Sequence, residues 1–298
     1  MPFAPLLVVA AGVLWGFLGY FTRTLYGLGF SSVQITAVRC LMASLFLLLL
    51  LGLTRKELLK IKLKHLWYFV GSGIISIVFF NICYFLCIEM LTMSAAAMLL
   101  YTSPFFVMLI SLFVFKEQIT LQKGLSLLMA FIGCMMVIGF IGDSPVVFST
   151  AGILLGLASG FGYALYSIFA RLALNYYSSY TVTTYTFTLA ALALLPFANW
   201  PEIGRIISQQ PSVIGTLLGL GFLCTLLPYM IYTIALNLME ASKASITAFA
   251  EPLMATVCGM LFFGETLTWQ NCLGIILIFL ALVFLNANIR VAAFRHKS

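Results

Sequence analysis

Few residues in this 298-residue chain could do chemistry, because 63% of it is hydrophobic and only 8% is charged. Glu251 is the only acid placed in the middle of an apolar run, immediately before Pro252. Arg39 is the one base comparably placed, eight residues into the run 32–53. At about 1.5 Å per residue that is roughly 10 Å deep. An ionisable group within a membrane costs about 2.5–3.5 kcal/mol or more unless it is paired, hydrated or able to snorkel, so each marks a functional site by default. Three roles compete for Glu251: a proton-coupling carboxyl, a counter-ion for a substrate amine, or a hydrogen-bonded structural acid at a kink. Arg39 is either an anchor holding carbonyls or a carboxylate, with a short reach to the outer surface, or a substrate contact.

Polar aromatics accompany these charges at membrane depth. Trp15 and Tyr163 lie mid-run, away from the interfacial belts where such residues usually sit. Asn81 and Tyr84 in one run, and Tyr229 and Tyr232 in another, are placed to line a pocket, although an interhelical hydrogen bond explains Asn81 equally well. Tyr101 and Phe249 directly precede two mid-run prolines, Pro104 and Pro252. A proline kinks a helix and frees the carbonyl four residues earlier, here those of Leu100 and Ala248. Freed carbonyls in a membrane need protein, water or ligand as partner, so broken helices line cavities.

Other chemistries find no support. The histidines, His65 and His296, lie in basic segments outside the apolar runs, so no metal site and no hydrolase base is expected at depth. Seven cysteines all fall within apolar runs without a CxxC pair, and read as small hydrophobes. No nucleotide-binding glycine loop occurs, so neither an ATP-driven pump nor any cofactor is expected. A channel lacks a visible carbonyl filter or charge ring. A membrane-embedded enzyme and a channel are the alternatives to a carrier.

The elements that position these residues come from a duplication. Residues 94–122 and 242–270 match without a gap at Ser94/Ser242, Ala96/Ala244, Pro104/Pro252, Phe115/Phe263, Glu117/Glu265, Thr120/Thr268 and Gln122/Gln270. The same offset pairs Gly12 with Gly160, Arg23 with Arg171, Gly71 with Gly219 and Tyr84 with Tyr232. Shared hydrophobicity alone does not align glycine, proline, arginine and glutamate, so the chain is an internal repeat, divided as 1–148 and 149–298. Glu117 and Glu265 repeat but stand three residues before Thr120 and Thr268, each able to N-cap the next helix. A capping role is therefore preferred over an active-site one.

Ten runs are long enough to span a bilayer: roughly 5–26, 32–53, 66–88, 94–115, 121–141, 150–172, 180–199, 211–236, 242–263 and 268–289. The first reads as a retained helix rather than a signal peptide. Gly12, Gly16 and Gly19, and Gly152, Gly156 and Gly160, are spaced for close helix packing. Five spans per repeat is an odd number, so the fold class is an all-α membrane protein of ten helices in two inverted five-helix repeats. With the N-terminus inside, the inner loops and tail hold twelve Lys and Arg and the outer side holds Arg23 and Arg205. The positive-inside rule then puts both termini in the cytoplasm of a multi-pass cell (inner) membrane protein. The net charge of +7 follows from topology and not from a nucleic-acid partner. Pro201 and Pro211 predict an irregular outer connection.

The run from Tyr84 through SAAAMLLYTSPFF to FKEQITLQKGLSLLMAFIG, and its echo from Tyr232 through EPLMA to FFGETLTWQNCLGIILI, resembles the tandem EamA domains of the drug/metabolite transporter superfamily. Arg39, the mid-helix prolines and the glutamate closing each segment match that pattern, and the resemblance spans nearly the whole chain. It implies a ten-helix carrier, often an exporter of amino acids or related small metabolites, working by alternating access at the repeat interface. Its partners would be a small-molecule substrate, the lipid bilayer and a possible coupling proton. Ser103, where the second half has Glu251, leaves any charge role at the kinks to Glu251.

Overall fold

A computed structural model of the chain describes residues 3–140 and 149–287. Its spans are α1 (Ala4–Gly27), α2 (Ser32–Thr54), α3 (Leu63–Met90), α4 (Met93–Val114), α5 (Leu121–Val137), α6 (Thr150–Leu174), α7 (Ser179–Phe197), α8 (Val213–Leu238), α9 (Ala241–Phe263) and α10 (Trp269–Asn286). The protein is an all-α membrane protein, and its two five-helix repeats lie inverted with respect to one another. The segment leading to the expected divide at 148/149, and the basic tail from residue 289, lie outside the described residues.

Capping chemistry sets several helix starts. Ser31 accepts the Gln34 amide in a capping box, and Thr92, Ser149 and Ser178 cap α4, α6 and α7. Thr120 and Thr268 do the same for α5 and α10, as their spacing predicts. Side-chain oxygens thereby satisfy amides that a helix start leaves unpaired. Both α3 and α8 wind as π-helix at equivalent places, Gly71–Val78 and Phe222–Leu226, which is a second mark of the repeat.

The halves interlock. The N-terminal part of α1 packs on α8 and α9 of the other repeat, and α6 packs on α3 and α4 of the first. α2 pairs with α7, and α5 with α10. Where α5 and α10 cross, a Cβ at Gly133 would lie 2.8 Å from the Gly274 carbonyl, and one at Gly274 would lie 2.6 Å from that of Gly133. Only hydrogen at both positions allows that approach. The threonines of α7 bond in several directions: Thr186 to Ser72 at 2.5 Å, Thr188 to Ser44 at 2.8 Å, and Thr181 to the Leu58 carbonyl at 2.8 Å.

Two expectations change. The outer connection is not irregular throughout, since Trp200–Gln209 form a helix. Pro201 sits in its first turn, where a missing N–H costs nothing. Six cysteines are buried, but Cys272 is exposed on the outward side of α10.

Candidate functional site

α4 and α9 are both discontinuous. The helical turn lapses at Tyr101–Thr102 in α4 and at Ala248–Phe249 in α9. Each proline then occupies the first turn of the resumed helix, where no donor is required. The Ala248 carbonyl is not left loose as proline chemistry alone predicts, because the Glu251 amide turns back to it at 2.9 Å. In α4 the Leu99 carbonyl accepts both the amide of Thr102, at 3.2 Å, and its hydroxyl, at 2.6 Å.

Glycine brings the opposing helices onto these breaks. A Cβ at Gly12 would lie 3.0 Å from the Glu251 amide, and one at Gly16 would lie 2.8 Å from that of Ala255. A Cβ at Gly160 would lie 2.7 Å from the Leu99 carbonyl and 2.6 Å from Thr102 Oγ1. The glycine stripes of α1 and α6 therefore carry Trp15 and Tyr163 directly over the two discontinuities.

Between the breaks lies a cavity lined by Trp15, Tyr101, Ser103, Pro104, Tyr163, Tyr166, Ser167, Tyr232, Ser245, Ala248, Phe249 and Glu251. Its free volume is about 30 Å³, room for one or two waters. Trp15 stacks edge-on to Tyr229 at 5.1 Å and tilts against Tyr232 at 5.4 Å. Its indole Nε1 is buried without a hydrogen-bond partner. The Tyr101 and Phe249 rings face each other across the breaks, centroids 5.9 Å apart. Tyr101 and Glu251 both line the cavity.

Five of the sequence candidates meet at this cavity: Glu251, Tyr101, Tyr163, Tyr232 and Trp15, with Pro104 at its wall. Tyr229 stands one layer back, wedged edge-on against Trp15, Tyr166 and Phe187. Pro252 is buried behind the break, and Tyr84 lies with the cluster around Cys87 and Leu91. Arg39 does not reach out to the surface. It is 6% exposed, and its NH2 nitrogen makes one long contact, 3.5 Å, to Asn81 Oδ1. Thr36 makes a 3.5 Å contact to the same oxygen, and Asn81 Nδ2 donates to the Ile77 carbonyl at 2.6 Å. Arg39 Nε is buried and unpartnered. Among the described residues neither Arg39 nor Glu251 is within ion-pair distance of an opposite charge.

Tyr166, Ser167 and Ser245 also line the cavity. Tyr166 bonds Thr233 at 2.6 Å, and Ser167 bonds the Tyr232 hydroxyl at 2.8 Å. The small hydroxyls of Ser167 and Ser245 carry no depth or charge signal, whereas Tyr166 stands beside Tyr163 in the same run and could have been read with it.

The EamA-like transporter family pattern matches residues 2–139 and again 150–287. The chain belongs to the EamA-like transporter family. An uncharacterized transporter of Archaeoglobus fulgidus is 26% identical over 261 residues, 87% of this chain and 90% of the relative. The uncharacterized inner membrane transporter YicL of Salmonella typhimurium is 24% identical over 286 residues, 95% of each chain. A protein of known crystal structure shares the fold, with a TM-score of 0.77, 18% sequence identity, and coverage of 94% of this chain and 95% of that one. Like its EamA relatives, the protein is a multi-pass membrane transporter.

Proposed function

We propose that this transporter exports amino acids or closely related zwitterionic metabolites by alternating access, with the midplane cavity between the two helix breaks as its substrate site. What supports this reading is a set of unmet needs, two of them at the cavity wall and a third at Arg39, which is buried outside the residues that line it. Arg39 is a buried cation with no carboxylate in reach and an unpartnered Nε–H. Trp15 offers a second free donor at the cavity wall, and Glu251 offers the acid on the opposite helix. A buried unpaired charge and buried orphan donors are costly. A substrate carboxylate at the donors and an ammonium at Glu251 relieve that cost together. The aromatic walls suit an apolar side chain.

The present cavity holds one or two waters only. Substrate therefore enters when α4 and α9 move apart at their breaks, and inverted repeats supply two related packings for that movement. In this reading the functional halves are 1–148 and 149–298, and both termini are cytoplasmic, as the distribution of Lys and Arg requires. The export direction follows the family resemblance.

Glu251, which lines the cavity with Tyr101, also favours a second use of the same acid, as the group that exchanges a proton for the substrate ammonium. Proteoliposome flux with an amino-acid panel, at two pH values and with Glu251→Gln, tests both uses. Loss of transport with the neutral amide supports the counter-ion. Retained transport that no longer responds to pH supports proton coupling. Unchanged transport and an unchanged pH response remove Glu251 from the mechanism. Unsaturable flux would overturn the carrier reading in favour of a channel.

A further inference from the structure

The glutamates that close α4 and α9 have the same local chemistry and different partners, and that difference points to a role neither has in capping its own neighbour. α4 ends with Phe115, Lys116 and Glu117, and α9 ends with Phe263, Gly264 and Glu265. The middle residue is left-handed in both, with φ of 56° at Lys116 and 64° at Gly264. The glutamate amides return to equivalent carbonyls: Glu117 to Ser111 at 3.1 Å, and Glu265 to Gly259 at 3.2 Å. Each end also receives the arginine that closes an adjacent helix of the opposite repeat. Arg171 stands over the Phe115 ring at 5.3 Å with its NH1 nitrogen 3.9 Å from Glu117. Arg23 stands over the Phe263 ring at 4.4 Å with its NH1 nitrogen 2.7 Å from Glu265.

The carboxylates differ in what else they hold. Glu117 Oε1 accepts the Ala241 amide at 2.8 Å, and Oε2 accepts the Ser242 amide at 3.1 Å and its hydroxyl at 2.5 Å. Those donors form the N-terminus of α9, the opposing broken helix. Arg171 donates to the carbonyls of Leu236 and Met239, which close α8. At this face the Glu117 carboxylate thus joins the two repeats. Among the described residues Glu265 is bound to Arg23 alone, and the two side chains are 52% and 57% exposed. Its second oxygen folds back onto its own helix against Gly259, where a Cβ would leave it no room. Among the described residues the equivalent N-terminus, at Met93 and Ser94 of α4, has only its own Thr92 as a side-chain cap, and Met93 is 66% exposed.

We propose that Glu117 and Glu265 are alternating latches: each carboxylate in turn holds the N-terminus of the opposing broken helix, and one engages as the other releases. The inference rests on the alternating-access reading and assigns to named residues the contacts that hold each end shut. Exchanging the conformations of the two halves sends Glu265 onto the Met93 and Ser94 amides and the Ser94 hydroxyl. It turns Arg23 to the Ile88 and Leu91 carbonyls and leaves Glu117 with Arg171 alone. Every donor and acceptor for the second latch is present in the chain at the offset of the first. The attraction is of a carboxylate to a helix N-terminus, reinforced by charge-assisted bonds. Among the described residues only one of the two sets is made.

Hydrogen exchange read by mass spectrometry on the purified full-length protein tests the coupling, with saturable proteoliposome flux measured in parallel. In the wild type the amides around 241–242 exchange slowly and those around 93–94 exchange fast. Glu117→Gln speeds the first set by about tenfold or more and slows the second, because the population moves to the other packing. Glu265→Gln, a change at a half-exposed site that a surface ion pair would not notice, lowers flux by about tenfold and slows exchange at 241–242 further. If Glu117→Gln frees 241–242 and leaves 93–94 unchanged, Glu117 is a static cap and the proposal falls. Wild-type flux in Glu265→Gln overturns it equally, even if Glu117→Gln fails to fold. In both cases saturable flux in the wild type leaves the carrier reading standing, whereas unsaturable wild-type flux removes that reading and the latch with it.

Discussion

The Glu117 carboxylate, at the end of a helix in the first repeat, accepts the Ala241 amide at the start of a helix in the second, at 2.8 Å. That contact joins the C-terminal end of α4 to the N-terminal end of α9, at one end of both broken helices. The residues expected to meet substrate lie at the breaks, midway along those helices. Predictions about the breaks can therefore be separated from predictions about the ends.

If Arg39 serves the substrate as proposed, its burial is a cost to stability borne for function. Its guanidinium is buried, Nε is unpartnered, and its one polar contact to Asn81 is 3.5 Å long. Replacing an imperfectly met buried charge by a neutral group is often neutral or stabilising. Arg39→Gln is expected to abolish transport of carboxylate-bearing substrates while the thermal midpoint stays level or rises. Arg39→Lys should not rescue transport, because the planar fork is lost. Flux and differential scanning fluorimetry on the same preparations check both.

Trp15 offers the narrowest test of a substrate carboxylate. Trp15→Phe keeps one aromatic ring facing Tyr229 and Tyr232 and removes the unpartnered N–H together with the rest of the indole. The thermal midpoint is therefore read alongside transport, to separate lost packing from a lost donor. An N–H that serves no protein group can be lost without harm to folding. If it serves the substrate, apparent affinity falls by about tenfold, the worth of one hydrogen bond to a charged group. Concentration-dependent uptake measures it, and unchanged affinity would place the substrate elsewhere.

Lys116 carries backbone strain that its repeat partner avoids. At φ 56° a side chain costs about 1–2 kcal/mol relative to the right-handed helix, a cost glycine does not bear. Lys116→Gly is expected to stabilise the protein by up to about 1 kcal/mol, with Glu117 still placed on α9. Thermal unfolding in detergent measures the gain. Destabilisation would mean that the Lys116 side chain makes a contact worth more than the strain.

The glycines of α1 and α6 should divide sharply by position. Gly160→Ala places a methyl 2.6 Å from Thr102 Oγ1 and 2.7 Å from the Leu99 carbonyl, with backbone unable to yield. A loss of about 1–3 kcal/mol is expected. Gly19→Ala meets nothing within 4 Å and should be neutral or slightly stabilising through helix propensity. Thermal midpoints of the two variants give the comparison.

Much of this architecture is legible along the chain because its signals are local or periodic. Ten apolar runs, mid-run prolines, threonine caps and a constant repeat offset each need only neighbours in sequence, and the structure places the spans within a few residues of those runs. Trp15, Tyr101, Tyr163, Tyr232 and Glu251 could be nominated for the cavity because depth and side-chain type can be read from a hydropathy profile. Which groups lie together could not. Tyr229 and Asn81 sit at similar depth, yet one packs behind Trp15 and the other leans on the Ile77 carbonyl.

Taken by itself, the amino-acid sequence determined that the protein spans a membrane ten times, that its halves are inverted copies, and that its two central helices break. Hydrophobic length, an odd number of spans per repeat and the geometry of proline are enough for that. Only the tertiary structure decided that α1 and α6 lie against the opposite repeat, that Arg39 is left without a carboxylate, and that Glu117 caps α9 instead of the helix that follows it. A carboxylate takes whichever donors are nearest in space. In lipid, where every helix face is apolar, the approach of one helix to another is set by where glycines let backbones meet, and no count along the chain records which pairs that brings together.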